Sequence, residues 1–210
     1  MIRTLVFDFG NVIGRFDHSR TVARLASRSP LAPTELALML FGSPLNDDYE
    51  TGRISTRQYL DAIRSNARLD CTDEEFHHAF VDIFQHHPPI EAVIPHLAQR
   101  YRLVLASNTN PAHFETIASM FRETLSHMHA LALSHQVGHR KPHAGFYAAV
   151  QELAHANPQE CLFIDDLPTN VAAAEAHGWH GIVFVDPQDL FDRFDSYGID
   201  LPLSARNVSA

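Results

Sequence analysis

Cysteine is scarce in this sequence: Cys71 and Cys161 are the two among 210 residues, and they form no CxxC pattern. Two thiols cannot build a disulfide framework for a chain of this length, so both are expected as reduced, structural thiols of a cytoplasmic protein. Long apolar runs are missing too. Stretches such as Leu103 to Ala106 fall far short of the ~18 residues a membrane helix needs. No basic segment followed by an apolar one opens the chain, and Met1 to Phe7 reads as a strand, so neither secretion nor membrane insertion is expected. Positive charge is in short supply: 16 Lys and Arg face 25 Asp and Glu, a net −9. That disfavours nucleic acid and anionic membrane as partners. An anionic substrate would have to be caught by local cations or helix ends. No GxxxxGK[ST] string occurs, which sets aside a P-loop.

What is present is a globular composition, 45% hydrophobic and 20% charged, sized for one large domain or a domain with an insertion. Histidine is abundant, at 15 residues. The pairs His77-His78 and His86-His87 invite a metal reading. Neighbours on a helix point apart, however, and no thiolate or carboxylate stands at a supporting spacing, so solvated or packed roles are expected.

Five short apolar runs read as buried strands: Ile2–Phe7, Leu103–Ala106, Ala130–Leu133, Cys161–Ile164 and Ile182–Val185. Helix-period segments near Pro111–Met120, His143–Ala154 and Pro168–His177 separate the last four. Pro111, Pro142 and Pro168 stand at or near first helical turns, and Gly178 follows the last helix as a cap. The pattern predicts an α/β fold with a doubly wound parallel sheet and right-handed crossovers.

The first strand breaks this rhythm, because Asp17–His87 contains helical signals only. Ser55 with Gln58 and Thr72 with Glu75 fit capping boxes. Tyr59, Leu60 and Ile63 share one face after the first; Phe76, Phe80, Ile83 and Phe84 share one after the second. Two more helices are expected near His18–Arg28 and Pro33–Phe41, with Gly42, Pro44, Gly52 and Pro88-Pro89 as punctuation. The expected division is a discontinuous core, residues 1–16 and 88–210, around a small helical bundle at 17–87. Monomer and homodimer both remain open.

In open parallel sheets ligands bind beyond the carboxyl ends of the strands. Asp8-Phe9-Gly10-Asn11 follows the first strand, Ser107-Asn108-Thr109-Asn110 the second, Arg140-Lys141-Pro142 the third and Asp165-Asp166 the fourth; Asp186-Pro187 after the fifth reads as a turn. Each has a plain alternative, since Asp8 can cap a turn, Asp165-Asp166 can cap a helix and Lys141 can be a solvated charge. Taken together, three carboxylates on one edge repel unless a cation sits among them. A hard ion such as Mg²⁺ suits oxygen ligands, and Lys141 with helix-end N–H groups could then hold an anion beside it. A carboxylate nucleophile aimed at phosphorus is a recognised form of covalent catalysis.

The order Asp8, Ser107, Lys141, Asp165-Asp166 resembles the four motifs of the haloacid dehalogenase superfamily, and the inserted helices resemble its small cap. The strings Phe7-Asp8-Phe9-Gly10-Asn11-Val12, Ser107-Asn108-Thr109-Asn110, Arg140-Lys141-Pro142 and Phe163-Ile164-Asp165-Asp166 are similar to its sugar-phosphate phosphatase branch. The resemblance runs from Ile2 to about Val185. It implies an Mg²⁺-dependent phosphatase acting on a small phosphorylated metabolite. Asp8 would be the nucleophile that becomes an aspartyl-phosphate, and Lys141 the counter-charge. Ser107, Asn108, Asn11 and Lys141 would contact substrate. Asp8, the Gly10 carbonyl, Asp166 and Asp165 would hold the metal.

One position departs from that pattern. Most phosphatases of the superfamily carry an acid/base Asp two residues after the nucleophile, where this chain has Gly10. A positioned acid/base is worth about 10²–10⁴-fold. Asp17 and His18 are substitutes only if the helical segment folds over the site. Gly10 could also mark a backbone conformation closed to other residues. The absent Asp is shared with 2-haloacid dehalogenases, which use the same nucleophile without metal; a non-catalytic binder of the same fold is a further alternative.

Overall fold

The computed structural model describes residues 1–202; residues 203–210, the end of the expected 88–210 segment, lie outside the described residues. Five strands form one parallel sheet: β1 (Thr4–Phe7), β4 (Arg102–Ser107), β5 (Ala130–Leu133), β6 (Cys161–Asp165) and β7 (His180–Val183), with β2 (Gly14–Phe16) and β3 (Phe84–His86) elsewhere. The order is β5-β4-β1-β6-β7, so the chain builds outward on one side of β1 and then returns to its other side. β1 is therefore the switch point of the sheet, and the crevice for a ligand opens at its carboxyl end.

Alternation along the strands makes two cores. Leu5, Phe7, Leu103, Leu105, Leu162 and Ile164 pack with Ile90, Ile94, Leu97, Phe121 and Phe194 on one face. Val6, Val104, Ala106 and Phe163 pack with Phe146, Tyr147, Val150 and Trp179 on the other. A strand buried on both faces reads as a continuous apolar run, which is why β1, β4 and β6 were legible. β7 begins two residues earlier than its apolar run, and Val185 is exposed.

The helices Pro111–Met120, Ala144–Ala154 and Pro168–Ala176 join these strands. His143 is the N-cap of the second rather than part of it, and Pro142 stands outside the first turn, after a cis Lys141–Pro142 bond. Gly178, at φ 93°, follows the third helix as expected. Asp186 is not a bland turn: it caps the helix Pro187–Ser196 by accepting from Asp189 N.

Between β2 and β3 lie the helices Ser19–Leu25, Pro33–Phe41, Pro44–Glu50, Thr56–Ala67 and Asp73–Val81. Both capping boxes form. Val22, Leu36, Leu40, Tyr49, Tyr59, Ile63, Phe76 and Phe80 make a third core. Tyr49 Oη accepts from Ala112 N, which ties this bundle to the helix after β4.

Three expectations fail here. The interval 17–87 is not purely helical, because Phe84–His86 pairs antiparallel with Gly14–Phe16. Strands of three residues are too short to show a period of two. The helix after Thr72 stops at Val81, so Ile83 and Phe84 leave its face and join the core beneath the sheet. Pro44 does not interrupt the chain but opens a helix at its first position, with Ser43 capping.

Candidate active site

Asp8 is the first residue past β1, and its backbone N–H donates to Ile164 O at 2.8 Å. Its Oδ1 accepts from Phe9 N at 2.7 Å and lies 2.7 Å from Lys141 Nζ. The same ammonium donates to Asp165 Oδ2 at 2.7 Å, so one buried lysine bridges two carboxylates. Burial works against its charge, but Asp8 and Asp165 more than offset that and hold Lys141 above the ordinary lysine value.

The loops that carry these groups are bonded to one another. Asn108 Nδ2 donates to Lys141 O at 3.0 Å, and Lys141 N donates to Asn108 Oδ1 at 2.8 Å. Thr109 N donates to Ser134 Oγ, whose hydroxyl donates back to Thr109 O, both at 2.9 Å. The segments after β4 and β5 thus hold the lysine in place before any substrate arrives. The Asn108 amide, expected to face substrate, is occupied in positioning Lys141.

Asp165 is fully buried and its oxygens are taken. Oδ1 accepts from Leu167 N and Asn170 Nδ2, both at 2.9 Å, and Oδ2 accepts from Lys141 and from Asn170 at 3.1 Å. It is better placed to fix Lys141 than to hold an ion directly. Asp166 is half-buried and accepts from Asn11 Nδ2 at 2.9 Å, so Asn11, at φ 56°, serves Asp166 here. Asp8, Asp165 and Asp166 each bring an oxygen within 4.8 Å of the others, the single such group among the described residues. No histidine cluster joins it: His87 Nδ1 meets Val12 O, and His86 pairs with Glu91.

Electrostatics give the reason for a cation. Burial pushes the Asp8 carboxyl up to about 7; Lys141 pulls it down, while Asp165 and Asp166 raise it further. Asp166 is raised by burial and by Asp165. Three carboxylates outweigh one ammonium, and an all-oxygen donor set suits a hard divalent ion.

A cavity of about 310 Å³ opens over this cluster, lined by Asp8, Gly10, Ser107 and Lys141 from the sheet side and by His18, Phe41 and Glu50 from the inserted helices. His18 stacks on Phe41, with ring centroids 3.7 Å apart, and burial pushes it down to about 4, so it is neutral at pH 7. Asp17 is exposed and accepts from Ser19 N at 2.9 Å, away from the cavity lining. Glu50 and Arg140, absent from the sequence-based site, line the cavity together. Arg140 bridges to Asp47 and lies 3.0 Å from Glu50 Oε2. No local pattern announces Glu50; only the tertiary packing of Pro44–Glu50 brings it here.

Gly10 owes its identity to sterics rather than to backbone conformation. It is not among the residues at positive φ, but a Cβ there would lie 2.7 Å from Phe16 Cε1. Gly10→Asp is expected to lower stability by about 1–3 kcal/mol through this overlap. Phe16→Ala in the same chain should recover part of the loss, as read by thermal melting; an unchanged melting temperature for Gly10→Asp would remove the steric explanation.

Comparison with known proteins identifies the family and the fold. A D-ribitol-5-phosphate phosphatase of Bacteroides thetaiotaomicron is 27% identical over 187 residues, 85% of this chain and 90% of that protein. A structure described as a predicted HAD-like family hydrolase from Porphyromonas gingivalis superposes with a TM-score of 0.82 at 26% identity, covering 96% of this chain and all of that one. The fold is shared with a HAD family enzyme from Bacteroides thetaiotaomicron in complex with magnesium and inorganic phosphate, with a TM-score of 0.80 at 22% identity over 91% of this chain and all of the other. Residues 2–178 match the hydrolase family described as haloacid dehalogenase-like hydrolase, from β1 past the acidic pair at the end of β6, and the chain belongs to that family.

Proposed function

We propose that this chain is an Mg²⁺-dependent phosphomonoesterase that hydrolyses a small phosphorylated metabolite through an aspartyl-phosphate at Asp8. The observation that carries the reading is the bridge of Lys141 between Asp8 and Asp165, 2.7 Å to each, at the floor of a cavity that also contains Ser107 and Asp166. Both bonds to Asp8 fall on Oδ1, and Oδ2 is the oxygen assigned to attack. Lys141 offsets charge between the nucleophile and the incoming phosphate, and Ser107 hydrogen-bonds the transferring group. Asp8, the Gly10 carbonyl and Asp166 would hold Mg²⁺, with Asp165 assisting through Lys141. The ion would neutralise phosphate charge and keep Asp8 ionised. Asn108 and Asn11 act on substrate through the groups they position. Residues 17–87 form the cap, whose helices close the cavity and select the substrate. The ribitol phosphate phosphatase among the relatives makes sugar and polyol phosphates the substrates to test first.

The lack of an Asp at position 10 is shared with 2-haloacid dehalogenases, but the acidic pair at the end of β6 favours a metal-dependent reaction over a metal-free one or a binding role. The deciding experiment measures phosphate release from 4-nitrophenyl phosphate and a panel of sugar and polyol phosphates, with Mg²⁺ or EDTA, beside halide release from 2-chloropropionate. Phosphate release that EDTA stops is expected. Halide release, or activity that survives rigorous chelation, overturns the proposal. Mg²⁺ should also raise the melting temperature by mass action, by RT ln(1 + [L]/Kd), or about 2.7 kcal/mol at a hundredfold excess over Kd. A melting curve indifferent to Mg²⁺ would count against the metal site.

A further inference from the structure

A departing alkoxide needs a proton, and Gly10 cannot give one. The cavity contains seven groups that carry or exchange protons: Asp8, His18, Glu50, His113, Arg140, Lys141 and Asp166. Asp8, Lys141 and Asp166 are committed to attack, counter-charge and metal. Arg140 stays charged at any working pH. His113 has both ring nitrogens engaged, with Asn110 at 3.1 Å and Phe80 O at 3.0 Å, and burial pushes it down to about 3. His18 is neutral at pH 7 and stacked on Phe41. Glu50 remains.

Glu50 ends the helix Pro44–Glu50, with 14% of its side chain exposed. Its Oε2 is buried and makes no aligned hydrogen bond to any described residue, although Arg140 Nη2 is 3.0 Å away. Arg140 Nε is likewise without a partner. Glu50 Oε2 is therefore held by the charge of Arg140 without an aligned donor, a partial compensation for its burial, and the residue itself lines the cavity.

We propose that Glu50 is the general acid/base of this site, giving a proton to the departing oxygen and taking one from the water that hydrolyses the phosphoenzyme. The proposal rests on the phosphatase reading above. In the first step the Asp8 Oδ2–P bond forms, the P–OR bond breaks, and the Glu50 proton passes to RO. In the second step the Glu50 carboxylate takes a proton from water as its oxygen bonds to phosphorus. Asp8 leaves as carboxylate, phosphate is released, and Glu50 ends as it began. Burial pushes the Glu50 carboxyl up to about 7, with Asn46 and Lys141 pulling it down. Arg140, 3.0 Å away, also favours the carboxylate but shares its charge with Asp47, and burial keeps the acid form accessible toward neutrality. The charged and titratable groups around it are Arg140 and Lys141 from the loop after β5, Tyr59 from Thr56–Ala67, and Asp47 on its own helix, whose carboxylate also engages Arg140.

The test uses leaving groups of different acidity on the full-length protein with Mg²⁺. Glu50→Gln keeps the shape and removes the proton. It should cut kcat/KM for phenyl phosphate by about 10²-fold or more, and at least tenfold more than for 4-nitrophenyl phosphate, whose leaving group departs unaided. A structural role would lower both alike, and equal losses overturn the proposal. If the variant fails to fold, the wild-type enzyme decides. Its phenyl to 4-nitrophenyl ratio of kcat/KM should be constant at low pH and fall as pH rises through about 7, where Glu50 loses its proton. A ratio independent of pH overturns the proposal. No phosphate release from either ester by the wild type is a different failure, that of the phosphatase reading itself.

Discussion

Asp8→Asn is expected to abolish phosphatase turnover while the chain stays folded. The amide is nearly isosteric, can accept from Phe9 N as the carboxylate does, and keeps its place beneath the cavity. What it loses, in the proposed mechanism, is the charge that attacks phosphorus, and with it one carboxylate of the acidic group. Removing a covalent nucleophile takes away the whole two-step route, so the loss should approach the assay floor, at least about 10⁴-fold. Stability should hold or rise, because the substitution removes a buried charge whose carboxyl is already pushed up to about 7. Melting curves and kcat/KM on 4-nitrophenyl phosphate measure both effects. Residual activity above a few per cent in a folded variant would remove Asp8 as nucleophile.

Lys141→Met is the second large effect. The ammonium is 1% exposed and touches Asp8 and Asp165 at 2.7 Å each. Methionine fills much of the space but leaves two buried carboxylates without their counter-charge. Breaking a buried ion pair on one side costs about 3–5 kcal/mol, part of which protonation of Asp8 would relieve. The catalytic loss should be about 10²–10³-fold in kcat/KM, the size seen when a preorganised charge is taken from a transition state. Adding Mg²⁺ should recover more of the stability than of the rate, because an ion held by Asp8 and Asp166 would offset carboxylate charge without replacing the ammonium. A rate within twofold of wild type would return Lys141 to a merely structural role.

The part of the site that follows the strands was legible in sequence for a physical reason. A strand buried on both faces must be apolar, so its end is marked by the first polar residue, and in a parallel sheet those ends share one edge. Asp8, Ser107 and Asp165-Asp166 were found that way; Lys141 stands eight residues past β5, beyond the helix Ser134–Val137, and was placed by its motif instead. The short β2–β3 ladder was not, because its hydrogen bonds join residues far apart in sequence and its strands carry no periodicity. The helix Pro44–Glu50 was hidden by Pro44, which reads as a break unless the Ser43 cap is weighed with it. With that helix went Asp47 and Glu50, whose approach to Arg140 depends on how the bundle sits over the sheet. The hydrogen bonds of Asn108 and Asn11 were not legible for a related reason. Sequence places an amide near a ligand, but only the folded loops show that Asn108 bonds Lys141 and Asn11 bonds Asp166.

The most direct test is to acid-quench the enzyme during turnover of 4-nitrophenyl phosphate with Mg²⁺ and to find the phosphoryl group by peptide mass spectrometry. With this ester the first step needs no proton delivery, so the proposed mechanism predicts that the phosphoenzyme accumulates during turnover. The expected result is one phosphoryl group on Asp8, removed by hydroxylamine as an acyl phosphate is, and missing from Asp8→Asn. A burst of nitrophenol with no phosphoryl group on Asp8, or with the group on another residue, would contradict an aspartyl-phosphate at this position.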